Sequence, residues 1–283
     1  MAEILRGEPV AAAITEKLID RANALSQRGV EPCLAVLRIG ERPGDLTYER
    51  AAMRRCERIG IRVERRCLPA DCTQEDVMAA IVRINADSAV HGCLMFRPLP
   101  KTLDESRASE ALLPQKDVDG MTAQALNTTF TQRGSGYPPC TAQSCMELMD
   151  HYGIDPAGKN ITVIGRSFVI GKPVSMLLLT RNATVTICHS RTLDLPAACR
   201  RADILVVAAG KIGLVGPEFT NPDQIIIDVG VNATPDGRIC GDVRFAEVAP
   251  CVRAITPVPS GVGSITTAVL CKHVIEAAEK ACR

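Results

Sequence analysis

Tryptophan is missing from this 283-residue chain, and aromatic residues make up only 3% of it, which leaves few side chains on which nucleic-acid bases could stack. An excess of either charge is missing too. The 33 Lys and Arg against 32 Asp and Glu leave a formal net charge of +1, with the charges interspersed. Neither a nucleic-acid footprint nor attraction to an anionic membrane is therefore expected. No apolar run approaches the roughly 20 residues of a membrane-spanning helix. Met1-Ala2-Glu3-Ile4-Leu5-Arg6-Gly7 has neither the apolar core of a secretory signal nor the Arg- and Ser-rich amphipathicity of a transit peptide, so a cytoplasmic protein is expected. Paired C-x-x-C motifs are absent although there are 13 cysteines. Most, such as Cys33, Cys93, Cys188 and Cys271, sit in apolar segments where a reduced thiol acts as a small hydrophobe, and no metal site or disulfide framework is expected.

What is present is organised around Ile161-Thr162-Val163-Ile164-Gly165-Arg166-Ser167-Phe168-Val169-Ile170-Gly171-Lys172-Pro173. Ile161 to Ile164 reads as a buried strand of a parallel sheet, Gly165 permits a tight turn, and Val169 to Leu179 carries apolar residues at helical spacing. A helix that starts at the carboxyl end of a strand is an anion site, suited to a pyrophosphate. The spacing of Gly165, Ser167 and Gly171 is not the usual G-x-G-x-x-G, so the turn alone is a weak signal. Support comes from three further strands. Ala183 to Cys188 ends in His189-Ser190-Arg191, Asp203 to Ala208 ends in Ala209-Gly210, and Ile225 to Val229 ends in Gly230. Strands that alternate with helices and stop at small or polar residues describe a mononucleotide-binding sheet. His189, Ser190 and Arg191 stand where an NAD site usually places an acid, and Arg166 adds a cation, which favours NADP over NAD.

The first half reads as a second α/β unit without a glycine fingerprint. Helices are expected over Val10 to Leu25, Leu46 to Ile59 (closed by Gly60) and Glu75 to Ile84, with strands over Cys33 to Ile39, Ile61 to Leu68 and Val90 to Phe96. The irregular stretch from Arg97 to Pro139 marks the boundary, and Thr141 is expected to cap a helix running to Tyr152. Thr266 to Ala281 is a closing helix.

Several stretches together resemble one family: Lys116-Asp117-Val118-Asp119-Gly120, Pro139-Cys140-Thr141, Gly165-Arg166-Ser167 with Ile170-Gly171-Lys172-Pro173, Asp228-Val229-Gly230-Val231-Asn232, Gly241-Asp242-Val243, and Thr256-Pro257-Val258-Pro259 with Gly261-Val262-Gly263. They resemble the bifunctional methylenetetrahydrofolate dehydrogenase/methenyltetrahydrofolate cyclohydrolase family. The resemblance implies two α/β domains: a folate-type catalytic domain over 1–140 with 266–283, and a Rossmann-like NADP-binding domain over 141–265. It further implies a carboxyl-terminal helix returning to the first domain, a homodimer, and folate held between the domains. By position, Tyr48 is implied to pack on the p-aminobenzoyl ring and Asp119 to hold the pterin. Ala52, Phe96, Arg97, Pro98, Pro259 and Gly261 fall at the implied substrate site. Gly165, Arg166, Ser167, Ile170, Gly171, Pro173, His189, Ser190, Arg191, Ala209, Gly210, Asp228, Gly230 and Val231 fall at the cofactor site. A carboxylate can accept two parallel hydrogen bonds from the N–H edge of a pterin.

Two departures stand out. In the family a Y-x-x-x-K lysine drives the cyclohydrolase, helped by a glutamine in Q-L-P-L-P. Here Tyr48-Glu49-Arg50-Ala51-Ala52 puts Ala52 at the lysine, and Phe96-Arg97-Pro98-Leu99-Pro100 puts Phe96 at the glutamine. Arg50 points away around the helix, and arginine cannot shuttle a proton as a desolvated lysine can. Hydride transfer chiefly needs alignment, whereas hydrolysis of the methenyl group needs proton transfers. The expected function is therefore an NADP-dependent methylenetetrahydrofolate dehydrogenase with the cyclohydrolase lost or strongly impaired. Ser260 and Ser264 also depart from the family's P-G-G-V-G-P. Two alternatives follow from these changes: an NADPH-dependent reductase of a non-folate imine, and a non-catalytic NADP- or folate-binding member.

Overall fold

The computed structural model describes residues 2–282. The chain divides into two compact units, one built from the segment through Ala12 with Thr141–Thr266, the other from Ala13–Cys140 with the segment from Thr267 onward. The sequence reading put the amino-terminal residues with the second of these. The difference comes from β1 (Glu3–Ile4), which pairs in parallel with Ala254 and Ile255 of the nucleotide-type sheet and is continued by Leu5 N–H donating to Ile255 O at 2.9 Å. The division falls inside helix α1 (Gly7–Gln27).

The unit that carries Tyr48 is a three-stranded parallel sheet, β2 (Cys33–Ile39) between β3 (Arg62–Leu68) and β4 (Gly92–Met95). Every residue of β2 is buried, as a central strand covered on both faces requires, and β3 lies half-exposed at the edge without the alternation its sequence suggests. Between them runs α2 (Pro43–Ile59), which starts three residues earlier than its periodicity indicates because Pro43 pre-sets the first turn. It ends at Gly60, whose φ of 89° closes the helix with its N–H donating to Cys56 O and Glu57 O. Helix α3 (Gln74–Ala86) opens with a reciprocal Thr73/Asp76 capping box. Its Val77, Ile81 and Ile84 pack on Leu37, Cys93 and Met95 in the core. Short helices α4 (Glu105–Ala111) and α5 (Ala123–Thr131) follow, N-capped by Asp104 and Thr122. The last helix, α10 (Thr266–Ala281), belongs here from Thr267 on, and Glu279 holds Arg21 of α1 through two bonds of 2.9 and 2.7 Å.

The other unit, which holds β1, continues with α6 (Cys140–His151), its own from Thr141 on; Thr141 lies inside the first turn and not at the cap position expected of it. Then come β5 (Asn160–Ile164), α7 (Gly171–Thr180), β6 (Thr184–Cys188), α8 (Leu195–Arg200), β7 (Ile204–Val207) and β8 (Ile225–Asp228). The pair β9 (Asn232–Ala233) and β10 (Ile239–Cys240), the short α9 (Phe245–Val248) and β11 (Ala254–Ile255) complete it. The main sheet is parallel throughout, in the order β1-β11-β8-β7-β5-β6. From β5 the chain steps outward to β6 and then crosses back to β7 on the other side of β5. The switch point of this Rossmann-like sheet therefore lies between β5 and β7, where open α/β sheets bind ligands.

Candidate active site

At that switch point Gly165 follows β5 with φ of 125°, and its N–H donates to Cys188 O of β6 at 2.9 Å. A Cβ on Gly165 would strike the carbonyl oxygen of Ala208 at the end of β7, so only glycine lets the two strand ends approach this closely. Gly171 is constrained from the opposite direction, because a side chain there would run into the Gly165 carbonyl. Ser167 Oγ accepts from Ile170 N–H at 3.3 Å and Gly171 N–H at 3.5 Å, so the first donors of α7 converge on one point. The helix begins at Gly171, not Val169, leaving Phe168 62% and Val169 48% exposed in the turn, with Lys172 Nζ 3.9 Å from the Phe168 ring centroid. Pro173 fills the first helical turn.

Arg166 is exposed after β5, and His189, Ser190 and Arg191 follow its neighbour β6, so the expected cations and hydroxyls leave adjacent strands paired at Ile164 and Cys188. His189 Nδ1 accepts from Arg191 N–H at 3.1 Å, which orders the loop. The first acid after β6, Asp194, is spent as the N-cap of α8, accepting from Ala197 N–H at 3.1 Å.

Asp242, quoted from the sequence within Gly241-Asp242-Val243 but given no role there, organises the next loop. Fully buried, it accepts from the N–H groups of Ala209 (2.7 Å), Gly210 (2.8 Å) and Lys211 (2.8 Å) and from Asn232 Nδ2 (2.9 Å). Gly230 leaves it room, since a Cβ there would meet its carboxylate. Asp228 accepts from Gly230, Asp242 and Val243 N–H groups at 3.0 to 3.2 Å, and burial nevertheless pushes its carboxyl up to about 7. Its bonds are all to its own backbone surroundings, which makes it a loop organiser; Val231 beside it is 64% exposed. Pro259 is exposed and Gly261 buried, with the intervening Ser260 carbonyl accepting from Gly7 N–H at 2.8 Å.

In the other unit Tyr48 and Ala52 lie one turn apart on α2. The helix is fixed in rotation by Glu49, whose buried carboxylate takes Arg38 Nε and Arg65 Nε, each at 2.6 Å. That rotation turns Ala52 inward with Cys56 and Ile59, fully buried, while Arg50 points outward to Thr47. Phe96 follows β4, 8% exposed, and meets Tyr48 edge-on with ring centroids 6.0 Å apart. Arg97 pairs with Glu105 at 3.9 Å, and Pro98 is exposed. Asp117 is structural, accepting from Met121 and Thr122 N–H groups at 3.1 and 2.8 Å. Asp119 differs. Burial pushes its carboxyl up to about 6, Arg97 pulls it down, Asp117 pushes it up, and the Cys140 thiol donates to it. A carboxylate poised near neutrality and an aromatic pair are thus positioned from the carboxyl ends of β2 and β4.

Comparison with known proteins decides the identity of this arrangement. Residues 5–119 match the catalytic-domain model of tetrahydrofolate dehydrogenase/cyclohydrolase, and residues 139–282 match its NAD(P)-binding-domain model. The chain belongs to the tetrahydrofolate dehydrogenase/cyclohydrolase family. Among its relatives, the "Bifunctional protein FolD" of Carboxydothermus hydrogenoformans is 49% identical over 99% of this chain and 98% of the relative. The protein of the same name from Clostridium botulinum is 45% identical over 99% of both. Among solved structures, the bifunctional FolD of Campylobacter jejuni superposes with a TM-score of 0.96 at 36% identity over 99% of both chains. That of Trypanosoma brucei, complexed with NADP cofactor and inhibitor, gives 0.94 at 34%, covering 100% of this chain and 99% of that one. Membership makes the chain an oxidoreductase of tetrahydrofolate one-carbon metabolism with the family's two α/β domains. Among the described residues no helix is long and apolar enough to cross a membrane.

Proposed function

We propose that this FolD-family chain is an NADP-dependent 5,10-methylenetetrahydrofolate dehydrogenase, forming 5,10-methenyltetrahydrofolate, and that its cyclohydrolase activity is strongly impaired. The observation that carries the split is the pair Ala52 and Phe96: a fully buried methyl and an aromatic ring packed on Tyr48 stand where the family motif has its proton-handling lysine and glutamine. Its relatives named bifunctional supply the dehydrogenase half of the reading, not the loss.

Bound NADP would supply the hydride acceptor. The side chains of this protein do the rest by binding and alignment. Tyr48 packs on the p-aminobenzoyl ring, and Asp119 accepts from the pterin N–H edge; neither has to move a proton for hydride transfer. The Gly165 turn and the start of α7 fit a pyrophosphate, while the Ser167 hydroxyl and the Asp242 carboxylate, by occupying the amides of 170–171 and of 209–211, hold the two flanking loops in shape beside it. Arg166, Ser190 and Arg191 fit a 2′-phosphate, and Asp194, already committed as a helix cap, leaves no carboxylate for the NAD ribose. Water attack on the methenyl carbon and ring opening do need proton transfer, worth roughly 100- to 10,000-fold, and no such group stands at positions 52 or 96. The same reading carries a cytoplasmic homodimer, which light scattering of the purified chain checks.

The deciding experiment runs two assays on one preparation. NADPH formation from methylenetetrahydrofolate should proceed with NADP and far more slowly with NAD, while methenyltetrahydrofolate should decay near the buffer rate. Rapid hydrolysis would remove the split. Tight NADP binding with no folate turnover would instead point to another imine as substrate.

A further inference from the structure

The residues assigned above in the unit of Tyr48 gather at the carboxyl end of its sheet. At the opposite end of β4 a cavity of about 310 Å³ lies wholly within the same unit. His91 immediately precedes this strand and Phe96 immediately follows it, five residues and roughly 16 Å of extended chain apart, so the cavity is separate from the folate surface. Its wall carries three basic side chains, His91, Lys116 and Lys280, and no Asp or Glu lines it among the described residues.

Each basic group is held in place. Lys116 Nζ donates to the carbonyls of Ile84 and Asp87, both at 2.6 Å, which uses two of its three N–H bonds. His91 Nδ1 accepts from Cys33 N–H at 3.2 Å, so its Nε2 carries the proton and is a donor. Lys280 Nζ stands 4.4 Å from the centroid of the Tyr137 ring and donates to its hydroxyl at 3.4 Å, and Tyr137 is itself stacked on His273 at 4.9 Å. Glu276 and Glu279 act on Tyr137 from α10, but the Glu279 carboxylate is claimed by Arg21. Val90 and Ala277 supply apolar wall between the cations. Burial lowers the ammonium of Lys116 and the imidazole of His91 below their ordinary values, a cost that a neighbouring negative charge offsets.

We propose that this cavity is a second binding site, specific for a compact organic anion whose carboxylate or phosphate meets His91, Lys116 and Lys280 while a small apolar body lies against Val90, Ala277 and the Tyr137 ring. Pre-placed donors and an apolar wall are what a small-molecule site requires, and an acid-free lining selects for negative charge. The inference does not depend on which folate reaction the chain catalyses.

Three probes that share one body test it: benzoate, phenyl phosphate and neutral benzamide, each titrated into the full chain while the imidazole ¹⁵N signal of His91 is followed. The chain has four histidines, so His91→Gln assigns the signal. At least one anion should shift it saturably, which also tells carboxylate from phosphate, and benzamide should not. Lys280→Gln should weaken that binding by about ten-fold, the effect of one charge-assisted hydrogen bond. No saturable shift with either anion, equal binding of benzamide, or an unchanged affinity in Lys280→Gln would each overturn the site. So would anions that move only signals near Tyr48.

Discussion

Ser260 adopts φ of 78°, a left-handed conformation that costs a residue with a Cβ on the order of 1 kcal/mol, where the family motif has glycine. A β-branched side chain fits that region worse, so Ser260→Val should lower unfolding free energy by about 1–2 kcal/mol in urea titrations; an equally stable variant would show that the turn relaxes. Asp119 carries the sharper functional signature. Its carboxyl, raised to about 6, is ionised above that pH and able to accept from a pterin, and protonated below it. Since kcat/KM reports the free enzyme, the dehydrogenase should lose about ten-fold per pH unit below about 6. That acid limb should vanish in Asp119→Asn; its persistence there would assign it elsewhere. Ala52 and Phe96 flank one residue, Tyr48, and so should act as a pair. Ala52→Lys alone buries an ammonium beside an aromatic ring. Ala52→Lys with Phe96→Gln should raise methenyltetrahydrofolate hydrolysis by about 100-fold or more over the parent, well beyond the sum of the singles. A folate-binding double variant that hydrolyses no faster would end the motif argument. Tyr48 and Asp119 could be assigned from sequence only through the family resemblance, because Asp-Gly by itself is a turn signal. Asp242 escaped for a related reason: what distinguishes it is four donors arriving from residues 10 to 33 positions away, which local sequence does not encode.

Strands and helices were far more legible than their ends. Continuous apolar runs marked β2, β5, β7 and β8 because both faces of a parallel sheet are covered, and Thr266–Ala281 came out at its full extent. Helix starts shifted where proline or tertiary donors intervene, as at Pro43 and at Gly171, whose approach to the Gly165 carbonyl sets the start of α7. β1 had no signal at all. Two residues cannot show a period, and only pairing with Ala254 and Ile255 makes them a strand. The β5–α7 turn is a unit in which one methyl group should be decisive. Gly165→Ala would drive Cβ into Ala208 O at a φ that alanine rarely adopts, pushing apart the ends of β5 and β7 where the proposed cofactor loop begins. The rest of the sheet holds the fold. NADP affinity should therefore fall at least ten-fold by fluorescence titration while the folate-binding unit keeps its ligand. Unchanged NADP binding would place the cofactor away from the switch point.

At the scale of the whole molecule, two units with different hydrogen-bonding demands share one pH response. Asp228 and Asp119 both have folded-state values raised above the unfolded one, from 3.8 to about 7 and about 6. At these two sites the folded chain holds more protons than the unfolded chain between about pH 4 and pH 7, so their contribution to stability falls as pH rises across that window. His91 opposes this, because its depressed value makes the folded chain the weaker proton binder near its ordinary pKa of about 6.5. Asp76 and Asp236, lowered from 3.8, act below the window. Comparing the parent with Asp228→Asn cancels all contributions but one. The asparagine must set its NH₂ against an N–H that Asp228 now accepts from Gly230, Asp242 or Val243, which costs about 1–3 kcal/mol at acid pH. It does not titrate, however, so its deficit in urea midpoint should be widest at about pH 4 and should shrink as pH rises to about 7, above which the parent must hold a buried carboxylate ionised. A deficit that stays constant over the range would mean that the three backbone donors already keep Asp228 charged. The loop around Asp242 would then be organised by two carboxylates, not by one carboxylate and one carboxylic acid.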